Sequence, residues 1–444
     1  MPLSGLDIYK LLPKTNCREC GFPTCLAFAL SLAKKAVSLE KCPYVSETAK
    51  QALEAQSQPP IRLVRIGDDE NKVEVGNETV MFRHEEKFHH PAAIGFIIED
   101  SLSDEEIKRR LEAIRSLQFE RVGQPLKTDL VAVKQSKDAK RFAQAVSLVT
   151  SLTKSGIVLM SEDASALKEA LGVLAGKRPL IYAAGSQNVT ELAKLAKEHG
   201  ASLALKSESI DGLTELAKAA NETGLTDLVL AINTSNANAK AIWDLTQARR
   251  LALKKANRLM GYPVVAAMPE LNSYAEVIKA GDYIAKYGSI VLLRGFEPWA
   301  ALALLTLRQN IYTDPQKPLQ IEAKLYPVGN VSEKSPTLVT TNFSLTYYTV
   351  LGEVEASKIP TYILSVDTEG MSVLTAWAAE KFTPDKISDS LKKSGAEEKL
   401  THRQVIIPGY VAVMSGDLEE KSGWKIVVGP KEAAGIPTFL KNLS

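Results

Sequence analysis

The sequence predicts an α/β protein in three parts: a small N-terminal cysteine module, a central (β/α)8 TIM barrel and a C-terminal Rossmann-like α/β domain. Three observations carry this. All four cysteines of the 444-residue chain, Cys17, Cys20, Cys25 and Cys42, fall in its first tenth. Eight short apolar runs then alternate with amphipathic stretches between residues 94 and 294. After a Pro-spaced stretch, 313–336, the alternation resumes. The expected boundaries are 1–58 for the cysteine module and its linker, 59–320 for the barrel with an N-terminal hairpin, and 321–444 for the last domain.

Composition sets the class. The chain is 45% hydrophobic and 24% charged, as ordinary globular domains are. Lys and Arg total 54 against 52 Asp and Glu, a net of +2, so no electrostatic pull toward nucleic acid or an anionic membrane is expected. The first residues, MPLSGLDIYKLLPK, lack the apolar run of a signal peptide. The longest apolar stretch, 299–307, falls well short of the ~20 residues of a membrane span. A soluble, cytoplasmic protein is expected.

The cysteines carry the first chemical signal. Their spacing is C-x2-C-x4-C-x16-C, and the last reads Cys42-Pro43. In a reducing compartment such clustering points to metal, not to disulfides. A compact trio with a distant fourth suits a [4Fe–4S] cluster; a Zn site or free structural thiols remain open on the residues alone. Gly21 and Pro23 suit a loop that wraps a cluster, Leu26–Ala36 reads as a helix leaving it, and 47–62 as a short helix fading into a Gln/Pro linker.

The barrel strands are expected at 94–99, 130–134, 157–161, 179–184, 202–206, 228–233, 263–268 and 289–294. Their near-continuous Val/Ile/Leu/Ala character is what strands buried on both faces require. Ser103 with Glu106 forms a capping box, Asn188 opens a helix that Gly200 ends, and Pro298 starts the helix after the eighth strand. An open doubly wound sheet is the competing topology. Residues 72–82 (KVEVG and ETVMF) read as a hairpin covering the barrel's N-terminal face. Barrel chemistry sits at the carboxyl ends of strands, which here carry Glu99, Asp100, Lys134, Gln135, Glu162, Asp163, Asn188, Asn233, Glu270, Asn272, Arg294 and Glu297. Polar residues there also cap helices, neither His nor Cys is among them, and they nominate no catalytic pair. A scaffold or docking surface is the expectation.

In the last domain strands are expected at 337–341, 361–367, 403–408 and 424–429, the last three each followed by a glycine-bearing turn and a helix. In such folds ligands lie at the carboxyl ends of the strands. Three segments converge there: Thr340 to Thr346, Gly370 to Val373, and Gly435-Ile436. They offer hydroxyls, open amides and little charge, which suits a large ligand bearing neutral amides and a phosphate. No dinucleotide fingerprint G-x-G-x-x-G occurs.

LPKTNCRECGFPTCLAFAL with the later KCPY, and the C-terminal TTNFSLTYY and DTEGMSVLTAW segments, resemble the large (gamma) subunits of corrinoid iron–sulfur proteins of the acetyl-CoA decarbonylase/synthase system. The resemblance covers essentially the whole chain. It implies a [4Fe–4S] cluster on Cys17, Cys20, Cys25 and Cys42, and a cobalamin-type corrinoid held by the C-terminal domain against a small subunit, as a heterodimer. It implies corrinoid contacts from Thr340, Thr346, Gly370, Met371, Ser372, Val373 and Ile436. The implied function is that of a methyl carrier in the reductive acetyl-CoA pathway of anaerobic carbon fixation. It takes a methyl group from methyltetrahydrofolate, through a methyltransferase, onto Co(I) and delivers it to acetyl-CoA synthase/carbon monoxide dehydrogenase. The cluster returns an electron to cobalt that has slipped to Co(II). The chain would be a methyl-transfer component without catalytic residues of its own. Its five histidines, His84, His89, His90, His199 and His402, stand in no D-x-H-x-x-G motif, in agreement with a family corrinoid that has no protein histidine on cobalt. Two other readings stay open: a barrel that is itself a pterin-binding methyltransferase using Asn233 and Asp100, and a Zn-stapled scaffold.

Overall fold

The computed structural model describes residues 5–33, 36–46, 49, 59–235 and 238–443. Two compact units emerge, Met1–Phe119 with Lys127–Tyr312, and Glu120–Leu126 with Thr313–Ser444. No helix among the described residues is long and apolar enough to cross a membrane.

In the first unit, helix α1 (Gly5–Leu11) and helix α2 (Cys25–Ala33) flank the cysteine loop. Helix α2 ends before the expected Ala36, and residues 34–35 lie outside the described residues, as does most of the expected linker helix, 47, 48 and 50–58. Strands β1 (Val64–Ile66) and β2 (Val73–Val75) form an antiparallel hairpin. The hairpin is thus present but built differently: β2 pairs with 64–66, and 78–82 is no strand. Instead the Glu78 carboxylate accepts the backbone amides of His89 and His90, so this stretch bonds through side chains and not through a ladder.

Eight parallel strands close the barrel: β3 (Ala93–Glu99), β6 (Leu130–Lys134), β7 (Gly156–Met160), β8 (Leu180–Ala184), β9 (Ser202–Lys206), β10 (Leu228–Ala231), β11 (Val264–Ala267) and β12 (Ile290–Leu293), with β12 returning to pair with β3. Each lies within a residue or two of its expected place, and the open-sheet alternative is excluded by this closure. Inward Ala, Val, Leu and Ile side chains fill the interior, where Val64, Ile66 and Val75 of the hairpin join them and plug the amino end. Between the strands run α3 (Asp104–Ser116), α4 (Ala139–Leu152), α5 (Ala164–Val173), α6 (Val189–Glu198), α7 (Ile210–Glu222), α8 (Asn238–Lys254), α9 (Ser273–Ala285) and α10 (Pro298–Tyr312). Ser103 caps α3 by accepting the Glu106 amide, Gly200 takes the left-handed φ of +64° after α6, and Pro298 opens α10. Asn188 is the N-cap residue of α6, as expected. Its side chain makes no cap to α6; it accepts from the Gly185 amide and donates to the Glu162 carbonyl, tying two loops together. A short hairpin, β4 (Gln118–Arg121) and β5 (Gln124–Lys127), interrupts the series after α3.

The second unit is a five-stranded sheet in the order β13-β15-β14-β16-β17: β13 (Leu325–Val328), β14 (Thr337–Thr341), β15 (Thr361–Val366), β16 (Gln404–Ile407) and β17 (Lys425–Val428). The four expected strands are parallel, and β13 adds an antiparallel edge that sequence reading missed because Tyr-Pro breaks its apolar run. Side-chain alternation divides the sheet's two faces. One packs Val339, Leu364, Val405 and Ile407 beneath α12 (Val373–Ala378), α13 (Pro384–Lys393), α14 (Ala396–Lys399) and α15 (Ser415–Ser422). The other packs Leu338, Ile363 and Ile406 beneath α11 (Ser344–Ser357) and α16 (Ile436–Leu443).

Candidate functional site

Three regions can hold chemistry: the thiol loop, the barrel's strand ends and the strand ends of the C-terminal sheet. In the first, Cys17 is exposed while Cys20, Cys25 and Cys42 are buried among Ile8, Leu12, Phe28, Ala29 and Val45. Lys14, Asn16, Arg18 and Gly21 all take left-handed φ, from +50° to +82°. Alternating left-handed residues curl the chain so that backbone N–H groups point inward, an anion-binding concavity found at iron–sulfur sites. One such bond is formed: the Asn16 amide lies 3.4 Å from the Cys25 sulfur, while Asn16 Oδ1 accepts the Cys25 amide at 2.8 Å. On the open side Tyr44, two residues past Cys42, donates its hydroxyl to Glu19 between the first two cysteines (2.9 Å), strapping the distant ligand segment to the trio. That bond to an anionic carboxylate is the main cause of a raised Tyr44 pKa. Among the described residues no three His, Cys, Asp or Glu side chains gather tightly enough to share one ion. A cubane takes its four thiolates on four different irons, so its ligands stand wider apart than those of a single tetrahedral Zn. The donor set, the amide on sulfur and the apolar surround fit such a cluster.

At the barrel's carboxyl end these polar side chains bond to each other or to backbone amides. Glu99 accepts Lys134 Nζ at 3.0 Å and Arg294 Nη1 at 3.2 Å, and the Lys134 bond, with Arg294 adding to it, holds its carboxyl below the ordinary glutamate range. Asp100 is fully buried and accepts the amides of Ser136 (2.7 Å) and Lys137 (3.3 Å). Gln135 accepts from Ser161, Asn233 donates to Glu208, and Asn272 caps α9. Glu276 accepts the amides of Arg294 and Gly295.

The C-terminal sheet is different. Asn342, buried at the end of β14, organises the loop after β15. Its Oδ1 accepts the amides of Thr368 (2.9 Å) and Gly370 (3.1 Å) and the Thr368 hydroxyl, and its Nδ2 donates to Asp367 and Gln320. Glu369 and Gly370 are consecutively left-handed, φ +57° and +75°. A Cβ at 370 would stand 2.7 Å from Gln320 Cγ, so this turn requires glycine. Thr340 is buried on β14, Thr346 half-buried in the first turn of α11, and Gly370 buried. Met371 and Val373 are half-buried against the core of one sheet face, whereas Thr340 and Ile436 belong to the other. The seven expected contacts thus cluster at the carboxyl edge but split across the sheet, and Ile436 is a buried core residue. Asn342 and Leu345 lie inside the expected segment Thr340 to Thr346 but carry no expected role there, and sequence reading missed the rest of an exposed apolar rim, Leu374, Trp377, Tyr410 and Val413, in segments following β15 and β16. Large apolar side chains so soon after strands were the available signal. His402, just before β16, bonds the Ser335 carbonyl at the amino end of the sheet. Buried hydroxyls without partners and an apolar rim fit an amide-bearing macrocycle.

The family model described as CO dehydrogenase/acetyl-CoA synthase delta subunit matches residues 63–440, and one described as a putative Fe-S cluster matches 12–44. The chain is 47% identical over 442 residues to the corrinoid/iron-sulfur protein large subunit of Moorella thermoacetica, covering 99% of each chain. It is 35% identical over 457 residues to the acetyl-CoA decarbonylase/synthase complex subunit gamma of Methanothermobacter thermautotrophicus, covering 100% of each. A solved dihydropteroate synthase of Xanthomonas albilineans aligns with 57% of this chain and 100% of its own at 12% identity and a TM-score of 0.42, a likeness too slight to argue from.

Proposed function

Because the chain belongs to the family of corrinoid/iron–sulfur protein large subunits and acetyl-CoA decarbonylase/synthase gamma subunits, we propose that it is a methyl carrier with two cofactors. The thiol loop holds a [4Fe–4S] cluster on Cys17, Cys20, Cys25 and Cys42, and the C-terminal strand ends hold a corrinoid. The observation that carries the reading is the pairing, on one chain, of this thiol loop with a strand edge that combines an apolar rim and buried free hydroxyls.

When bound, the corrinoid would supply a cobalt whose reduced form accepts a methyl group. The cluster supplies a low-potential electron. The chain's own residues bind and orient. Asn342 fixes the Gly370 loop, Met371 and Val373 offer apolar surface, Thr340 and Thr346 offer hydroxyls, and Leu374, Trp377, Tyr410 and Val413 would offer an exposed apolar rim to the ring. One small domain leaves much of a macrocycle open, which suits a small subunit as heterodimer partner. It also suits alternate visits by a methyltetrahydrofolate methyltransferase and by acetyl-CoA synthase/carbon monoxide dehydrogenase. A division at 1–58, 59–320 and 321–444 would give the cluster a linker of its own, which suits delivery of the electron.

The barrel is proposed as scaffold. Asp100 and Asn233, which a pterin site would need free, are committed to Ser136, Lys137 and Glu208. The discriminating experiment is Cys20→Ala. The variant is expected to accept methyl groups normally when cobalt is reduced beforehand, and to fail to recover from Co(II). Equal loss of both, or loss of neither, contradicts separate roles for the two centres.

A further inference from the structure

Two hydroxyls in the second unit stand out. Thr340 on β14 and Ser365 on β15 are direct register partners in the parallel ladder. By alternation both project to the face that carries Leu338 and Ile363, under α11 and α16. Each residue is only 1% exposed, and neither Oγ1 of Thr340 nor Oγ of Ser365 has a hydrogen-bond partner. An unpartnered buried hydroxyl loses its hydration without compensation, and Val or Ala would fill the same place at no such cost. Two of them side by side, one residue from the carboxyl ends of adjacent strands, form a donor pair awaiting an acceptor. The nearby start of α11 adds to this: its N-cap residue is Phe343, whose side chain makes no cap bond, and Thr346 lies in its first turn.

Resting on the corrinoid reading above, we propose that Ser365, together with Thr340, is a binding residue that donates to an oxygen acceptor of the corrinoid, a side-chain amide carbonyl or the phosphodiester of the nucleotide tail. Sequence reading passed over Ser365 because it lies inside an apolar run, TYILSV, where a serine reads as core filler. Thr337 supplies an internal control. It is on the same strand, equally buried at 1%, and its hydroxyl is also unpartnered, but it stands at the amino end of β14 on the other face.

The proposal predicts effects of opposite sign in the empty and loaded protein. In the full-length chain freed of corrinoid, Thr340→Val, Ser365→Ala and Thr337→Val should each leave the melting temperature unchanged or raise it by up to about 4 °C, because an unsatisfied hydroxyl is removed. Titrated with hydroxocobalamin and followed by absorbance, Thr340→Val and Ser365→Ala should bind roughly tenfold more weakly, and Thr337→Val should bind as the parent does. Cobinamide, which lacks the nucleotide tail, separates the two acceptors. Weakening with cobalamin alone assigns the phosphodiester, and weakening with both assigns a ring amide. If Ser365→Ala binds cobalamin as tightly as the parent, the proposal is overturned and the free hydroxyl is a packing defect. A parent chain that binds no corrinoid defeats the underlying reading instead, so the two failures are distinguishable.

Discussion

The barrel and the C-terminal sheet place the same feature, the carboxyl ends of parallel strands, in two different chemical states. In the barrel the side chains there complete one another: Glu99 with Lys134 and Arg294, Asp100 with two backbone amides, Asn233 with Glu208. In the C-terminal sheet Thr340, Thr341 and Ser365 have hydroxyls without partners, and Leu345, Leu374, Trp377, Tyr410 and Val413 stand exposed. Polar groups that satisfy each other maintain a fold; polar groups left unsatisfied beside exposed apolar surface are where a ligand gains most by arriving. Position in a fold therefore names a candidate site, and hydrogen-bond accounting decides between candidates.

The sharpest way to break this contrast is Gly370→Val. A β-branched residue at φ +75° is strained by about 1–2 kcal/mol, and its Cβ meets Gln320. The Asn342-pinned loop must shift, so corrinoid affinity, read by absorbance titration, is expected to fall by about tenfold or more. Unchanged affinity would remove this loop from the site. Next in size is the double variant Leu374→Ser with Trp377→Ser. Both side chains are over 40% exposed, so the melting temperature should hold within about 2 °C while corrinoid affinity falls several-fold. A large loss of stability with intact binding would make the rim structural.

The smallest effect is expected in the barrel. Glu99→Gln should leave corrinoid binding unaltered and change only stability, in a pH-dependent way. Because Lys134 and Arg294 hold the folded-state pKa of Glu99 below its unfolded value, its contribution is present above about pH 4.3 and is lost as pH falls through the folded pKa. The melting-temperature gap between parent and variant should therefore be widest near neutrality and close in acid. A gap that widens in acid would contradict a folded-state pKa below the unfolded one.

These contrasts also explain what could be read in advance. Barrel strands such as LVAVK and SLALK, buried on both faces, declare themselves by unbroken apolar character, and eight of them in series fit a closed barrel, with closure itself settled only by the β12–β3 pairing. The cysteine spacing named a metal-binding loop because ligand chemistry is local in sequence. Nothing local marks Asn342, whose role comes from four bonds to residues 25 to 28 positions onward in the chain. Ser365 and Thr340 become a pair only through β14–β15 register, which sequence periodicity does not contain. The hairpin at 64–75 was half legible for the same reason: the strand KVEV was visible, its partner was not.

The central claim, that one chain carries electrons on sulfur-bound iron and a one-carbon group on cobalt, is tested most directly by metal analysis of the full-length protein isolated without air together with the subunits that accompany it. The account predicts about four Fe per chain, about one Co, and an absorption spectrum containing both cluster and corrinoid bands. A preparation with Zn in place of Fe, or with no cobalt and no corrinoid absorption, would contradict it.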